Sequence, residues 1–234
     1  MSCCYVLMST KIRLVCATRH TAHEFPSKTA LGRSLPLYRW PFVELRLFPS
    51  NTSGLSAVYN AAVREAVEDP AVLMFIHDDV HLLDFYWPER VLEGLNRFDI
   101  IGVAGNQRRI PGQPSWIFIN DKLARDTQEN LSGVIAHGKT WPSPISYYGA
   151  PNREVKLIDG VMMAARSDVL LANGLLFDEQ FDFHFYDLDF CRQAECYGLH
   201  MGVWPIQVMH ESEGATGSPQ WRTGCGKYFA KWQS

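Results

Sequence analysis

The stretch Ala71-Val-Leu-Met-Phe-Ile-His77-Asp78-Asp79-Val80 decides how the rest of this chain can be interpreted. Its six apolar residues are too few for a stable helix and are typical of a buried strand of the parallel type. The run ends in three polar residues, His77, Asp78 and Asp79, where the strand leaves the core. In open α/β sheets, ligands bind beyond the carboxyl ends of the strands, so this stretch predicts a site at that edge.

Two adjacent carboxylates repel each other unless a cation or hydrogen-bond donors face at least one of them. Asp78 and Asp79 therefore suit a site for Mn²⁺ or Mg²⁺, and such metals commonly bind the phosphates of a substrate as well. The alternative is an ordinary turn after the strand, where Asp is common because its side chain bonds to the local backbone. The segment alone leaves both interpretations open.

Composition limits the class of protein. The chain has 234 residues, 47% of them hydrophobic, which suffices for one large α/β domain. Its 22 basic and 25 acidic residues give a net charge of −3, so no basic excess indicates a nucleic-acid partner. No apolar run reaches about 18 residues, so we expect no membrane span. The N-terminus does not resemble a signal peptide, and the six cysteines show no zinc spacing, which predicts a cytoplasmic protein with reduced thiols.

The order of predicted elements in the first third is that of a nucleotide-binding unit. A strand at 11–18 precedes a short helix near 27–35, and alternating apolar residues predict a second strand over 43–47. From Leu55 onward, apolar residues recur at i, i+3, i+4, i+7 and i+8, which predicts an amphipathic helix. With the strand at 71–76, this βαβαβ order predicts an α/β fold with a Rossmann-like sheet flanked by helices.

The second half of the chain is less regular. We interpret 106–156, which is rich in Gly, Pro and aromatic residues, as an insertion of loops and hairpins over the sheet. The Gly- and Ser-rich residues that follow position 210 predict a flexible lid. We therefore expect a single domain over 1–234, with a loose leader at 1–10 and a flexible lid and tail at 211–234.

Two later stretches carry acidic residues in unusual places. Asp159 and Gly160 interrupt a predicted strand at 156–165, where a glycine either lets a ligand or backbone come close or marks a bulge. A predicted helix begins at Asp187, and the side chain of this residue is either a functional carboxylate or an N-cap. Because Asp189 follows two residues later, a helix aims the two carboxylates in different directions, and only one can face a shared site.

His210 ends the last predicted strand, so a second strand delivers a group that can bind a metal. Both strands would end at the same edge of the sheet, and we expect Asp79 and His210 to bind one divalent cation together. Arg222 lies behind the flexible segment, and its guanidinium suits phosphate oxygens. The segment 211–222 is therefore expected to close over a diphosphate.

Five motifs, in their order along the chain, resemble those of GT-A glycosyltransferases of the large inverting family 2 group. The nearest resemblance is to a bacterial branch named from a streptomycin-biosynthesis protein. The motifs are Gly54-Leu-Ser-x-x-Tyr-Asn60, Phe75-Ile-His-Asp-Asp-Val80, Asp159-Gly160, Tyr186-Asp-Leu-Asp-Phe190 and Pro205-Ile-x-Val-x-His-x-Ser212. The resemblance implies a GT-A fold with a mixed sheet and the transfer of a sugar from a nucleotide-sugar, a UDP-sugar by preference, to an acceptor hydroxyl.

The resemblance also implies roles for single residues. Asp79 and His210 match the metal ligands of the family, for Mn²⁺ or Mg²⁺, and Asp187 matches its catalytic base. We expect the donor to contact Thr18, Arg19, Asn51, Asn60, His77, Asp78 and Arg222, and the acceptor to contact Asp159, Gly160 and Asp189. Two positions depart from the family pattern: His77 replaces the first Asp of its Asp-x-Asp motif, and Tyr186 replaces the Glu of its Glu-Asp motif.

Two other classes of protein stay open. A non-catalytic protein that binds nucleotide-sugars or carbohydrates could use the same fold, because a fold does not fix a function. Donor hydrolysis or transfer with Mn²⁺ would separate it from an enzyme. The adjacent His77 and Asp78 also suggest an HD-type metal phosphohydrolase, but those sites lie on helices of all-α folds, whereas a strand is predicted here.

Overall fold

The structure is a computed structural model that describes residues 10–37, 39–212 and 214–233. The expected leader at 1–10 thus lies, apart from Thr10, outside the described residues. The helices are α1 (Phe25–Lys28), α2 (Ala30–Ser34), α3 (Leu55–Glu65), α4 (Trp87–Leu95), α5 (Ser167–Asn173), α6 (Tyr186–Cys196) and α7 (Pro219–Trp232), with a 3₁₀ turn at Leu35–Leu37. The strands are β1 (Ile12–Ala17), β2 (Val43–Phe48), β3 (Val72–Ile76), β4 (Val80–Leu82), β5 (Ile100–Gly102), β6 (Ala104–Asn106), β7 (Leu131–His137), β8 (Ile145–Gly149), β9 (Arg153–Val155), β10 (Leu157–Ile158), β11 (Met162–Arg166), β12 (Met201–Val203) and β13 (Val208–His210).

The larger sheet has the strand order β2-β1-β3-β11-β5-β12-β9. Strand β1 lies parallel to both β2 and β3, as the predicted βαβαβ order requires. Strand β11 runs antiparallel to β3 and β5, which makes the sheet mixed. Every residue of β3 is buried, in agreement with its uninterrupted apolar sequence. The predicted mixed α/β fold, with sheets flanked by helices, is confirmed.

A second sheet carries the later strands and lies beside the carboxyl end of β3. Its order is β10-β6-β7-β13-β4, with β8 beside β7. Strands β7 and β8 form an antiparallel hairpin inside 106–156, and most of the remaining residues of that stretch form loops. The hairpin also pairs through β7 with β13, so this stretch is built into the second sheet and is more than a cover over the first.

The strand predicted over 156–165 is two strands in two sheets. Strand β10 pairs with β6 in the second sheet, and β11 pairs with β3 and β5 in the first. Asp159 to Val161 form the link between them. A Cβ on Gly160 would lie 2.3 Å from the hydroxyl of Tyr186, so only a glycine lets helix α6 approach this link so closely.

Residues 219–232, expected to belong to a flexible tail, form helix α7. The Ser218 side chain caps its first turn by accepting a hydrogen bond from the Trp221 N–H, and Pro219 occupies the first turn. Apolar side chains at helical spacing pack this helix on the core, and Tyr228 is fully buried. Of the described residues, none lies in a helix long and apolar enough to cross a membrane.

Candidate active site

Strand pairing brings the two predicted metal arms together. Strand β3 ends at Ile76, and the turn His77 to Asp79 leads into β4, which runs antiparallel to β13. In that ladder His210 lies opposite Val80, the residue after Asp79. The backbone oxygen of Asp79 also accepts a hydrogen bond of 2.9 Å from the N–H of Glu211. The backbone therefore holds the arms in register before any cation binds.

Three side chains converge at this point, His77, Asp79 and His210, and each is partly buried. Their potential ligand atoms all lie within 4.8 Å of one another. The Oδ1 atom of Asp79 lies 3.2 Å from Nε2 of His210 and 3.9 Å from Nδ1 of His77. This oxygen is buried and has no hydrogen-bond partner among the described residues, so it is available to a cation. The three residues therefore fit a divalent metal.

The negative charge of Asp79 favours the protonated forms of both histidines, whereas His210 disfavours a charge on His77. Burial raises the pKa of Asp79, but His210 and His77 outweigh this effect and hold the pKa below its usual value. Burial lowers the pKa of His210, and Asp79 reverses that shift, so the pKa of His210 is raised. The pKa of His77 is lowered, chiefly by burial. At neutral pH this site holds a carboxylate beside a neutral His77 imidazole, which is a suitable ligand pair.

The N-terminus of helix α6 lies against the same cluster. The hydroxyl of Tyr186 is 2.8 Å from Nε2 of His77 and donates a hydrogen bond of 2.8 Å to the backbone oxygen of Gly160. Tyr186 is almost completely buried. The helix begins after Phe185, whose side chain makes no capping hydrogen bond. Tyr186 thus links the helix to the candidate metal cluster and to the link between the two sheets.

Asp187 lies in the first turn of α6, one residue beyond Tyr186. Its Oδ2 atom accepts a hydrogen bond of 3.0 Å from the N–H of Gly160, and its Oδ1 accepts one of 2.9 Å from the N–H of Leu188. Burial, together with the negative charge of Asp159, raises the pKa of Asp187 to about 7, although the backbone hydrogen bonds lower it. Asp187 is not the N-cap residue of this helix, a position that Phe185 occupies. A carboxylate with this pKa can accept a proton at neutral pH.

A polar cleft of about 880 Å³ opens beside Asp78 at the carboxyl ends of β1 and β3. Four of the predicted donor-binding residues line it: Thr18, Arg19, Asn51 and Asp78. The backbone N–H of Asn51 donates to the Thr18 oxygen over 2.8 Å, and the Asn51 side chain bonds to the backbone of Ser53. These hydrogen bonds fix the two loops that form the walls of the cleft.

Three predicted site residues have other surroundings. Asn60 is buried, and its side-chain amide bonds to the backbone of Phe177 in both directions. Asp189 is completely buried and pairs with Lys231 of helix α7 at 2.7 Å. Arg222 is exposed, and its Nε donates to the Gly217 oxygen. The structure brings none of these three to the cleft or to the metal cluster.

Sequence reasoning did not identify several residues that the structure places at the site. Asp182 and Phe183 line the polar cleft, and the Phe183 ring stacks on His77 with ring centres 5.8 Å apart. His137 lies beside His210 in the ladder of β7 and β13. No local pattern marks these positions; for Phe183, the run of aromatic residues before Tyr186 was the available signal.

Comparison with known proteins indicates the family of the chain. Residues 45–218, well over half of the chain, match the model of a glycosyltransferase-like family. The chain therefore belongs to this glycosyltransferase-like family. No curated protein matches it. Among solved structures, the crystal structure of A197 from STIV is similar at 11% sequence identity and a TM-score of 0.45, covering 87% of this chain and 83% of that one.

Proposed function

We propose that the protein transfers a sugar from a nucleotide-sugar donor to an acceptor hydroxyl, with inversion at the anomeric carbon. The observation that carries the proposal is the position of Asp187. This carboxylate, whose pKa is raised to about 7, follows directly on Tyr186, and the Tyr186 hydroxyl contacts His77 of the candidate metal cluster. A base and a cation site at one point are what such a transfer requires.

The polar cleft is the proposed donor site. Its loops present backbone groups and the side chains of Thr18, Arg19 and Asn51 beside Asp78. A divalent cation held by His77, Asp79 and His210 would supply positive charge against the diphosphate leaving group. Because two of these three ligands are imidazoles, we favour Mn²⁺ over Mg²⁺, which binds mainly to oxygen ligands.

Asp187 is the proposed general base. An inverting transfer needs one group that takes the proton of the acceptor hydroxyl as its oxygen attacks the sugar from the opposite side. The hydrogen bonds from Gly160 and Leu188 fix both oxygens of Asp187 without using all their lone pairs. Asp159 and Gly160 lie directly beside this carboxylate, and we assign them to the acceptor side of the site.

The variant Asp187→Asn tests this proposal. Asn is nearly the same size but cannot take the proton, so turnover should fall on the order of 10²–10⁴-fold. Release of UDP from a panel of UDP-sugars with Mn²⁺, with and without sugar acceptors, measures turnover, and calorimetry with UDP and Mn²⁺ measures binding, which should persist. Asp168→Asn, at an exposed residue in the first turn of α5, is the matched control.

Unchanged turnover in Asp187→Asn would exclude Asp187 as the base. If the wild-type protein binds UDP-sugars with Mn²⁺ but neither hydrolyses nor transfers them under any condition, the result would favour a nucleotide-sugar-binding protein on this fold instead. The HD-type phosphohydrolase has no support, because His77 follows a β-strand in a mixed α/β fold.

A further inference from the structure

We infer that Tyr186 is a positioning residue that fixes the tautomer of His77, so that Nδ1 of its imidazole presents a lone pair to the cation. The inference rests on the cation site of the proposed function and deepens it. It also joins His77 and Tyr186, the two positions at which the chain departs from the motifs that it resembles. The Tyr186 hydroxyl accepts a hydrogen bond from the His77 ring and so selects one tautomer.

The hydrogen bonds of Tyr186 determine the tautomer. The Gly160 backbone oxygen can only accept, so the contact of 2.8 Å requires the Tyr186 hydroxyl to donate its single hydrogen there. The same hydroxyl lies 2.8 Å from Nε2 of His77, and its oxygen can then only accept. Nε2 of His77 must therefore carry the hydrogen, and Nδ1 of the neutral ring carries the lone pair.

The ring of His77 is held so that this lone pair is useful. Its Nδ1 lies 3.9 Å from Oδ1 of Asp79, the buried oxygen that has no hydrogen-bond partner among the described residues. The Phe183 ring stacks on the imidazole, with an interplanar angle of 25°, and the backbone N–H of His77 donates to the Val161 oxygen over 3.2 Å. Stacking and hydrogen bonding together restrict the rotation of the ring. Histidine ligands of metals are commonly oriented in this way by a partner on the second nitrogen.

The chemistry of the side chain explains why His77 needs a partner. A carboxylate at this position would offer lone pairs on both oxygens without any choice of tautomer. A neutral imidazole has only one lone pair, and in water either nitrogen can carry it. A buried hydroxyl that has already given its hydrogen to a carbonyl selects one of the two forms. His77 and Tyr186 are thus coupled through one hydrogen bond.

The first test is the tautomer of His77 in the metal-free wild-type protein. Nitrogen-15 NMR of the histidine rings at pH 8, with the His77 signals assigned through His77→Gln, distinguishes a protonated Nε2 from a protonated Nδ1. We expect Nε2 to be protonated. A ring protonated at Nδ1 would overturn the inference, and this measurement needs no variant of Tyr186 and no metal.

The second test is the Mn²⁺ affinity of Tyr186→Phe, measured by calorimetric titration. Removal of such an outer partner typically weakens metal binding by about 10–100-fold, and we expect a loss in that range. The NMR signals of His77 should also shift toward a mixture of tautomers. Tyr228→Phe is the control, because Tyr228 is another buried tyrosine, in helix α7, whose hydroxyl lies beside Arg192.

The outcomes separate the two proposals. Absence of Mn²⁺ binding by the wild-type protein would contradict the cation site of the proposed function, whatever the tautomer is. Normal Mn²⁺ binding by Tyr186→Phe, with an unchanged His77 tautomer, would contradict the positioning role while leaving the cation site intact. If Tyr186→Phe does not fold, the tautomer measured in the wild-type protein decides the inference.

Discussion

At the scale of single residues, the charge of Asp159 affects the protonation of Asp187, because the two carboxylates lie close together. Burial is the main cause of the raised pKa of Asp187, and the charge of Asp159 adds to it. Asp159 is itself held by the Val161 N–H, which donates to its Oδ1 over 3.0 Å. The raised pKa means that protonated Asp187 contributes stability at acidic pH and that this contribution is lost as the pH rises through about 7. The same proton equilibrium governs the proposed base.

The pH dependence of transfer follows from the sign of this shift. A base must be deprotonated, so the rate should rise with pH and level off above about 7. Asp159→Asn removes a negative charge beside Asp187, lowers its pKa, and should move the acidic limb of the profile to lower pH. Burial remains as the larger cause, so the limb should not reach the range of a free carboxyl group.

Rate against pH for the wild-type protein, Asp159→Asn and Asp168→Asn, each at saturating donor, measures this effect. Asp168 is exposed and is not a cause of the raised pKa of Asp187, so its replacement should leave the profile unchanged. An acidic limb that stays in place in Asp159→Asn would show that the Coulombic coupling between the two carboxylates is negligible.

At the scale of elements, the short helix α2 contacts both the segment that carries Asp79 and the segment that carries His210. The N–H of Leu31 donates to the backbone oxygen of Asp78 over 3.0 Å. Arg33 forms an ion pair with Glu211, the residue after His210. His81, two residues beyond Asp79, contacts the same Glu211 oxygen at 2.9 Å. The helix therefore contacts both arms, the one that carries Asp79 and the one that carries His210.

Loss of the contact between helix α2 and Glu211 should weaken metal binding more than it lowers the stability of the fold. Arg33→Met keeps the apolar stem but removes the ion pair with Glu211, a partly exposed interaction that should contribute about 1 kcal/mol to stability. Arg33 acts on the cluster only through Glu211, the neighbour of His210, so we expect a loss of Mn²⁺ affinity of about 10-fold, at the lower end of the range for direct partners of metal ligands. Calorimetric titration with Mn²⁺ and thermal unfolding measure the two effects.

Arg46→Met is the matched control, because Arg46 forms a similar partly exposed ion pair with Glu65 on another part of the surface. The control should keep its Mn²⁺ affinity. Equal affinity of Arg33→Met and the wild-type protein would show that the strand ladder alone positions the arms.

At the scale of the whole molecule, helix α7 packs against the segment that contains Asp182, Phe183 and Asp187. The buried carboxylate of Asp189 accepts hydrogen bonds from Lys231 and, at 2.8 Å, from Nε1 of Trp232. Lys231 also pairs with Asp178 at 2.7 Å. Tyr228 packs between Phe181 and Phe185, two residues that lie just before the first turn of α6. The C-terminal helix thus supports the segment in which Asp182, Phe183 and Asp187 lie.

Removal of the Lys231 cation, which pairs with the buried Asp189, should therefore destabilise the protein as a whole. Lys231→Met leaves the fully buried Asp189 without its opposite charge, and because Lys231 itself is exposed we expect a loss of about 1–3 kcal/mol, less than for a fully buried pair. The free energy of unfolding from urea titration measures the loss. Lys227→Met, which removes a single exposed hydrogen bond to the Gln180 oxygen, should change it little. A loss in Lys231→Met no larger than in the control would mean that Trp232 and Gln193 suffice to stabilise the carboxylate.

The sequence by itself determined the framework of the fold and much of the site. The apolar run before His77 predicted strand β3, and the apolar spacing after Gly54 predicted helix α3, because both periods reflect local backbone geometry. Asp79 and His210 were expected to meet because their strands would end at the same edge of one sheet. They do meet, but β3 and β13 belong to different sheets, and the pairing of β4 with β13 brings the two residues together. The local pattern also predicted a helix from Asp187 onward, and the helix begins one residue earlier, at Tyr186.

Helix α7 could have been predicted but was not. Trp221, Cys225, Tyr228, Phe229 and Trp232 recur at helical spacing behind a Ser-Pro start. Gly224 and Gly226 lower the helix propensity of the same segment, and the Gly- and Ser-rich residues before it suggested flexibility. Packing of the apolar face on the core outweighs that cost.

Only the tertiary structure decided which polar residues act together. His77 and Tyr186 are 109 positions apart, and nothing local indicates that one hydrogen bond joins them. The sequence likewise does not show that Asp189 pairs with Lys231, whereas Asp187, two residues earlier, lies beside the site. The physical reason is that a local pattern records which face of an element is apolar. The partner of a buried polar group, in contrast, depends on which elements pack against that face.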